Sequence, residues 1–121
     1  MIRGHVSDDG TPYVALPIAG STWQAVVDTG FNGYLELPLV LQEQLHPTFV
    51  GRATSRLAGG QSVEEDVFLV NIPFDDHMIR AAVTFVDSDE LLLGTAMLRC
   101  HQLRIDFPMR SLELVRTVDH E

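Results

Sequence analysis

Ala25-Val26-Val27-Asp28-Thr29-Gly30 runs an apolar segment into a carboxylate, a hydroxyl and a glycine. An apolar strand carries the Asp toward a dry interior, where its charge is costly unless it is shared or hydrogen-bonded. The glycine lets the backbone turn away and leaves room for a group to approach the carboxylate. On its own the tripeptide also fits an ordinary turn capped by Asp28. Its meaning depends on the rest of the chain.

The 121 residues are read as a single domain spanning 1–121, long enough for its own core. A hydrophobic content of 45% with 21% charged residues marks a globular chain. The formal charge of −9 opposes phosphate backbones, so a nucleic-acid partner is not expected. No apolar run approaches a membrane span, and Met1-Ile2-Arg3-Gly4-His5 lacks the apolar segment of a signal peptide. One cysteine, Cys100, fits a reducing compartment. The expectation is a cytoplasmic protein with no membrane partner.

Turn signals recur at short spacing with apolar alternation between them, which predicts many short strands. Ile2–Val6, Tyr13–Ile18 and Thr22–Asp28 form a meander around Asp8-Asp9-Gly10-Thr11-Pro12 and Ala19-Gly20-Ser21. After Phe31-Asn32-Gly33, Tyr34–Leu37 alternates as a strand, and Pro38 opens a short helix over Leu39–Leu45 that His46-Pro47 stops. Phe49–Leu57 and Ser62–Ile72 make a long hairpin with Gly59-Gly60 at its tip. Met78–Val86, the triplet Leu91-Leu92-Leu93 with Gly94, a short helix over Thr95–His101, and strands Leu103–Phe107 and Ser111–Val115 complete the reading. Trp23 and Phe85 are expected in the core, and Asp75-Asp76 and Asp87–Glu90 in solvated turns. His5, His46, His77, His101 and His120 lack metal-ligand spacing and are expected at the surface or in turns, so no metal or other cofactor is expected.

Two segments stand out as a pair: Val26-Val27-Asp28-Thr29-Gly30 and Leu91-Leu92-Leu93-Gly94-Thr95-Ala96-Met97-Leu98. Their order, with a glycine-bearing hairpin between them and two strands after them, resembles the retropepsin-like aspartic proteases from Thr11 to Val115. The resemblance implies an all-β fold, a retropepsin-like acid protease barrel with one or two short helices and one lobe per chain. It implies Asp28, Thr29 and Gly30 as the catalytic loop and Leu57, Ala58, Gly59 and Gly60 as a flap over substrate. Leu93 and Gly94 would support the catalytic loop from below. Peptide hydrolysis in this manner needs two carboxylates around one water, and the chain holds a single Asp-Thr-Gly. The second carboxylate must come from another copy, so a homodimer is expected, acting on a peptide or protein substrate. By analogy with the family, Ile2–Val6 and Leu112–Val118 are the expected dimer strands.

The chain departs from the retroviral pattern at two places. Phe31-Asn32 and Thr95-Ala96 replace the residues that carry an Asp–Arg ion pair there. A neutral hydrogen bond from Asn32 to Thr95 or nearby backbone is the expected substitute. The acidic balance leads to the further expectation of activity on the acid side of neutrality, where the paired carboxylates hold a proton. The alternative reading is a catalytically inactive dimeric β-domain that binds peptides or proteins, since fold does not guarantee activity.

Overall fold

Alternating apolar residues set which face each side chain takes, and turns decide where each run stops. The computed structural model describes residues 1–117. Its strands are β1 (Ile2–Val6), β2 (Pro12–Ile18), β3 (Ser21–Val27), β4 (Leu35–Pro38), β5 (Thr48–Arg56), β6 (Ser62–Phe74), β7 (His77–Val86), β8 (Leu91–Leu93), β9 (His101–Asp106) and β10 (Ser111–Arg116). Between β4 and β5 a 3-10 turn at Leu39–Leu41 runs into α1 (Gln42–Leu45). His46 ends α1 in the left-handed region at φ 47°, and the proline that follows cannot continue a helix. The helix expected over Thr95–His101 is a shorter 3-10 turn, Thr95–Leu98.

The strands form one sheet in the order β5-β6-β7-β4-β8-β3-β2-β1-β10-β9. The β8 strand lies between β3, to which it runs parallel, and β4, to which it runs antiparallel. Each of those strands leads into or out of the Asp28 loop, so the central triplet is wedged beneath it. The sheet curls until Leu16 and Ile18 of β2, Ile72 and Phe74 of β6, Leu93 of β8, and Leu112 and Leu114 of β10 share one buried cluster. Trp23 and Phe85 pack against that cluster as partly buried side chains. The two ends of the sheet, β5 and β9, do not meet, so the expected barrel is an open, curled sheet.

The expected dimer strands are largely paired within the chain. The β1 strand is paired on both sides, with Gly4 opposite Leu112 of β10 and Val14 of β2. The β10 strand is likewise flanked by β1 and β9. Gly4–Val6 is therefore flanked on both sides within the chain, while Ile2 and Arg3 pair with β10 alone and Val115 and Arg116 with β9 alone; Val118 lies outside the described residues. Where both neighbours are present, an added strand would have to displace one of them. Register also places Val6, Pro12, Val27 and Ser111 at one end of the sheet, the end that carries Asp28.

Candidate active site

Val27 at the end of β3 is buried, and Asp28 follows it out of the core to a half-buried position. The parallel pairing Ala25↔Leu91, Val26↔Leu92, Val27↔Leu93 sets the height at which β3 ends. The Asp28 N–H then donates to the Leu93 carbonyl at 2.9 Å, which fixes the backbone below the carboxylate. Gly30 N–H donates to Asp28 Oδ1 at 2.8 Å, and Phe31 N–H donates to the Asp28 carbonyl at 3.2 Å. A backbone N–H on a carboxylate oxygen sets its direction.

The loop is bound to the segment after β8 by a second set of main-chain bonds. Gly94 N–H donates to the Tyr34 carbonyl at 2.9 Å, Thr95 N–H to Phe31 at 2.8 Å, and Ala96 N–H to Gly33 at 3.1 Å. This close approach explains the glycine. A Cβ at Gly94 would lie 2.2 Å from the Gly33 carbonyl oxygen and 2.7 Å from that of Phe31. Neither oxygen can retreat without breaking the lacing. Gly30 has a milder reason, since a Cβ there would come within 3.2 Å of Asp28 Oδ1 and cover the carboxylate.

The structure thus brings Asp28, Thr29, Gly30, Leu93 and Gly94 together. Thr29 and Gly30 are exposed, and among the described residues the Thr29 hydroxyl makes no hydrogen bond. Asn32 is exposed as well, and its side chain makes none among the described residues. The contact expected from Asn32 is made by backbone alone, through Thr95 N–H and the Phe31 carbonyl.

Leu57, Ala58, Gly59 and Gly60 form the exposed tip between β5 and β6, away from the Asp loop in sequence. Leu57 N–H donates to Gln61 at 2.7 Å and Gly60 N–H to Leu57 at 2.9 Å, with Gly60 at φ 82° where side chains are disfavoured. The hairpin's lower part does reach the site. Ala53, Ser55, Glu65 and Val67 line a cavity of about 200 Å³ together with Phe31 and Glu36. Burial, then the charges of Glu65 and Asp28, push the Glu36 carboxyl above its usual value. The groove beside Asp28 is therefore walled by the hairpin arm and carries negative charge.

One pair was missed from sequence. Asp75, expected in a solvated turn, has a side chain only 5% exposed and accepts bonds from the Met1 amine at 2.7 Å and His101 Nε2 at 2.9 Å. The amine first, and His101 after it, hold the Asp75 carboxyl below its usual value, although burial opposes them. His101, expected at the surface, is 2% exposed. The signal was present in β9, where His101, Leu103 and Ile105 alternate onto the inward face. Asp76 is exposed as expected, and His5, His46 and His77 lie at the surface. His120 lies outside the described residues.

No protein-family model matches this sequence, and no curated protein matches it. Solved structures do match its fold. A retropepsin-like aspartic protease from Rickettsia conorii aligns at TM-score 0.61 with 20% identity, over 93% of this chain and 87% of that one. The chain has a retropepsin-like fold. Simian foamy virus (mac) protease aligns at TM-score 0.56 with 17% identity, over 72% of this chain and 91% of that chain. A foamy viral protease-reverse transcriptase, solved in complex with an RNA/DNA hybrid, aligns at TM-score 0.60 with 14% identity, and the match spans 13% of its length. At these identities the likeness is one of fold, and this retropepsin-like sheet is one lobe per chain.

Among the described residues no helix is long and apolar enough to cross a membrane.

Proposed function

We propose that this retropepsin-like chain is an aspartic endopeptidase that acts as a homodimer, with one Asp28 from each copy forming the reactive pair. The observation that carries the reading is the Asp28 loop itself: a half-buried carboxylate held by Gly30 N–H, on a backbone laced to Leu93–Ala96. Such fixed geometry suits chemistry, in which small displacements of a reacting group are costly.

Two carboxylates about 3 Å apart cannot both ionise, so the pair shares one proton and titrates as a unit. The ionised member takes a proton from the water between them as that water attacks the scissile carbonyl. The protonated member donates a hydrogen bond to the carbonyl oxygen, then the pair returns a proton to the leaving amine. The Thr29 hydroxyl, exposed and unbonded among the described residues, would bond across the two-fold to its counterpart and hold the carboxylates in register. An extended peptide would lie in the groove beside Glu36 and Ser55, under the β5–β6 hairpin, which closes over it and excludes water.

With β1 and β10 paired internally, the copies would meet through the end of the sheet that carries Asp28. That end also bears the β9–β10 turn, where Phe107 is 57% exposed and Met109 75%. Burying such side chains between copies supplies a driving force for the dimer. The site of action is a reducing compartment, and the cytoplasm fits the reading.

The test is cleavage of a diverse peptide library followed by mass spectrometry across about pH 4 to 8. Wild type should cut with an optimum below neutrality, and Asp28→Asn should not cut. Peptides retained by wild type without any cut would assign the binding domain instead.

A further inference from the structure

Behind the Asp28 loop lies a second cavity, of about 150 Å³, outside the groove described above. Its floor is apolar, built from Phe74, Ile79 and Met97, and its rim carries Arg99 and Arg116. The sequence has only eight basic residues against seventeen acidic ones, so two guanidinium groups at one small opening stand against the chain's general charge. Neither has a carboxylate partner among the described residues. The Arg99 guanidinium lies over the Tyr34 ring, 6.0 Å from its centroid. In the wall, His101 directs Nε2 to Asp75, while its Nδ1 is buried with no hydrogen-bond partner among the described residues. The Asp75 charge nearby is already matched by the Met1 amine and His101, so it does not cancel the arginines.

We infer that this cavity binds a small monocarboxylate with a compact apolar body, the body on the Phe74–Ile79–Met97 floor and the carboxylate on Arg99 and Arg116. An apolar cavity of about 150 Å³ accepts a single benzene-sized group. Planar guanidinium groups pair with carboxylate through parallel hydrogen bonds. Binding would be felt at Asp28, because the cavity wall includes Tyr34 and Ala96. The Tyr34 carbonyl and the Ala96 N–H are two of the groups that lace the Asp28 loop. A ligand here therefore biases the loop from behind, without entering the peptide groove.

The probe is benzoate, titrated into the intact chain while the imidazole signals of His101 are followed by NMR. Saturable shifts of His101 by about 20 mM benzoate are expected, with affinity falling as salt rises. The Arg99→Gln/Arg116→Gln double variant should bind at least about ten-fold more weakly. Benzyl alcohol, similar in size but neutral, should also bind at least about ten-fold more weakly to wild type. The readout is binding at His101 and needs no cleavage, so the result stands apart from the peptidase reading. Absence of saturable shifts in wild type, or equal affinity for benzoate and benzyl alcohol, overturns the inference. So does undiminished binding by a folded double variant.

Discussion

Asp28 and Asp75 are the same residue in two opposite settings. Asp75 sits at the tight β6–β7 turn with φ 49°, its carboxylate 5% exposed and matched by an amine and an imidazole from the same chain. Asp28 sits at the other end of the fold's wiring, half-buried, held by one backbone N–H and facing outward. Among the described residues no cation pairs with it. The difference separates a carboxylate that completes the fold from one the fold only positions. Removing the first should cost stability, while removing the second should cost chemistry.

The largest structural effect is expected beneath Asp28. Gly94→Ala forces a Cβ to 2.2 Å from the Gly33 carbonyl, and backbone must move to relieve it. A loss of about 3–5 kcal/mol by denaturant unfolding is expected, with the Asp28 loop unlaced and cleavage abolished. A variant as stable as wild type would show that the lacing does not fix the loop.

Asp75→Asn comes next. Losing the carboxylate leaves the His101 imidazole and the partly exposed amine without their acceptor, and about 1–2 kcal/mol of stability should go with it. The pH signature has a definite sign. The folded carboxyl titrates below its usual value of 3.8, so its contribution is complete above that value and is lost as pH falls through the folded one. Acid unfolding of wild type should steepen in that window, and Asp75→Asn should lack the step. The same comparison at Asp28 should show almost no change in stability on substitution by Asn.

The smallest effect is expected at Glu36, where the sign reverses. Burial and the negative neighbours Glu65 and Asp28 disfavour the ionised form, raising the folded value above the usual 4.5. Wild-type stability should therefore decline as pH rises from about that value through the raised one. Glu36→Gln should remove the decline and leave the chain slightly more stable near neutrality, as thermal unfolding against pH will read.

Much of this was legible in the sequence for identifiable reasons. Alternation of apolar residues in Tyr13–Ile18 and Leu112–Leu114 marks faces directly, because side chains in a strand point to opposite sides in turn. The pairing of Val26–Gly30 with Leu91–Gly94 placed the candidate site through its resemblance to the retropepsin-like pattern. Strand neighbours were not legible. Alternation in Ile2–Val6 gives a face and says nothing of whether β10 of the same chain or another copy lies alongside. Whether the sheet closes depends on twist and curl summed over many strands, which no local pattern encodes. Asp75 misled because an Asp-Asp pair at a turn reads as solvated, and its partners lie far away in sequence at Met1 and His101.

The central claim is that chemistry needs Asp28 from two copies, and one mixing experiment bears on it most directly. Wild-type chain is held at a fixed concentration at which it cleaves peptide, and Asp28→Asn chain is added in increasing excess. The account predicts that cleavage falls progressively as mixed dimers with a single intact carboxylate replace active ones. Cleavage that stays constant under a large excess of the variant would contradict it and place the whole active site within one chain.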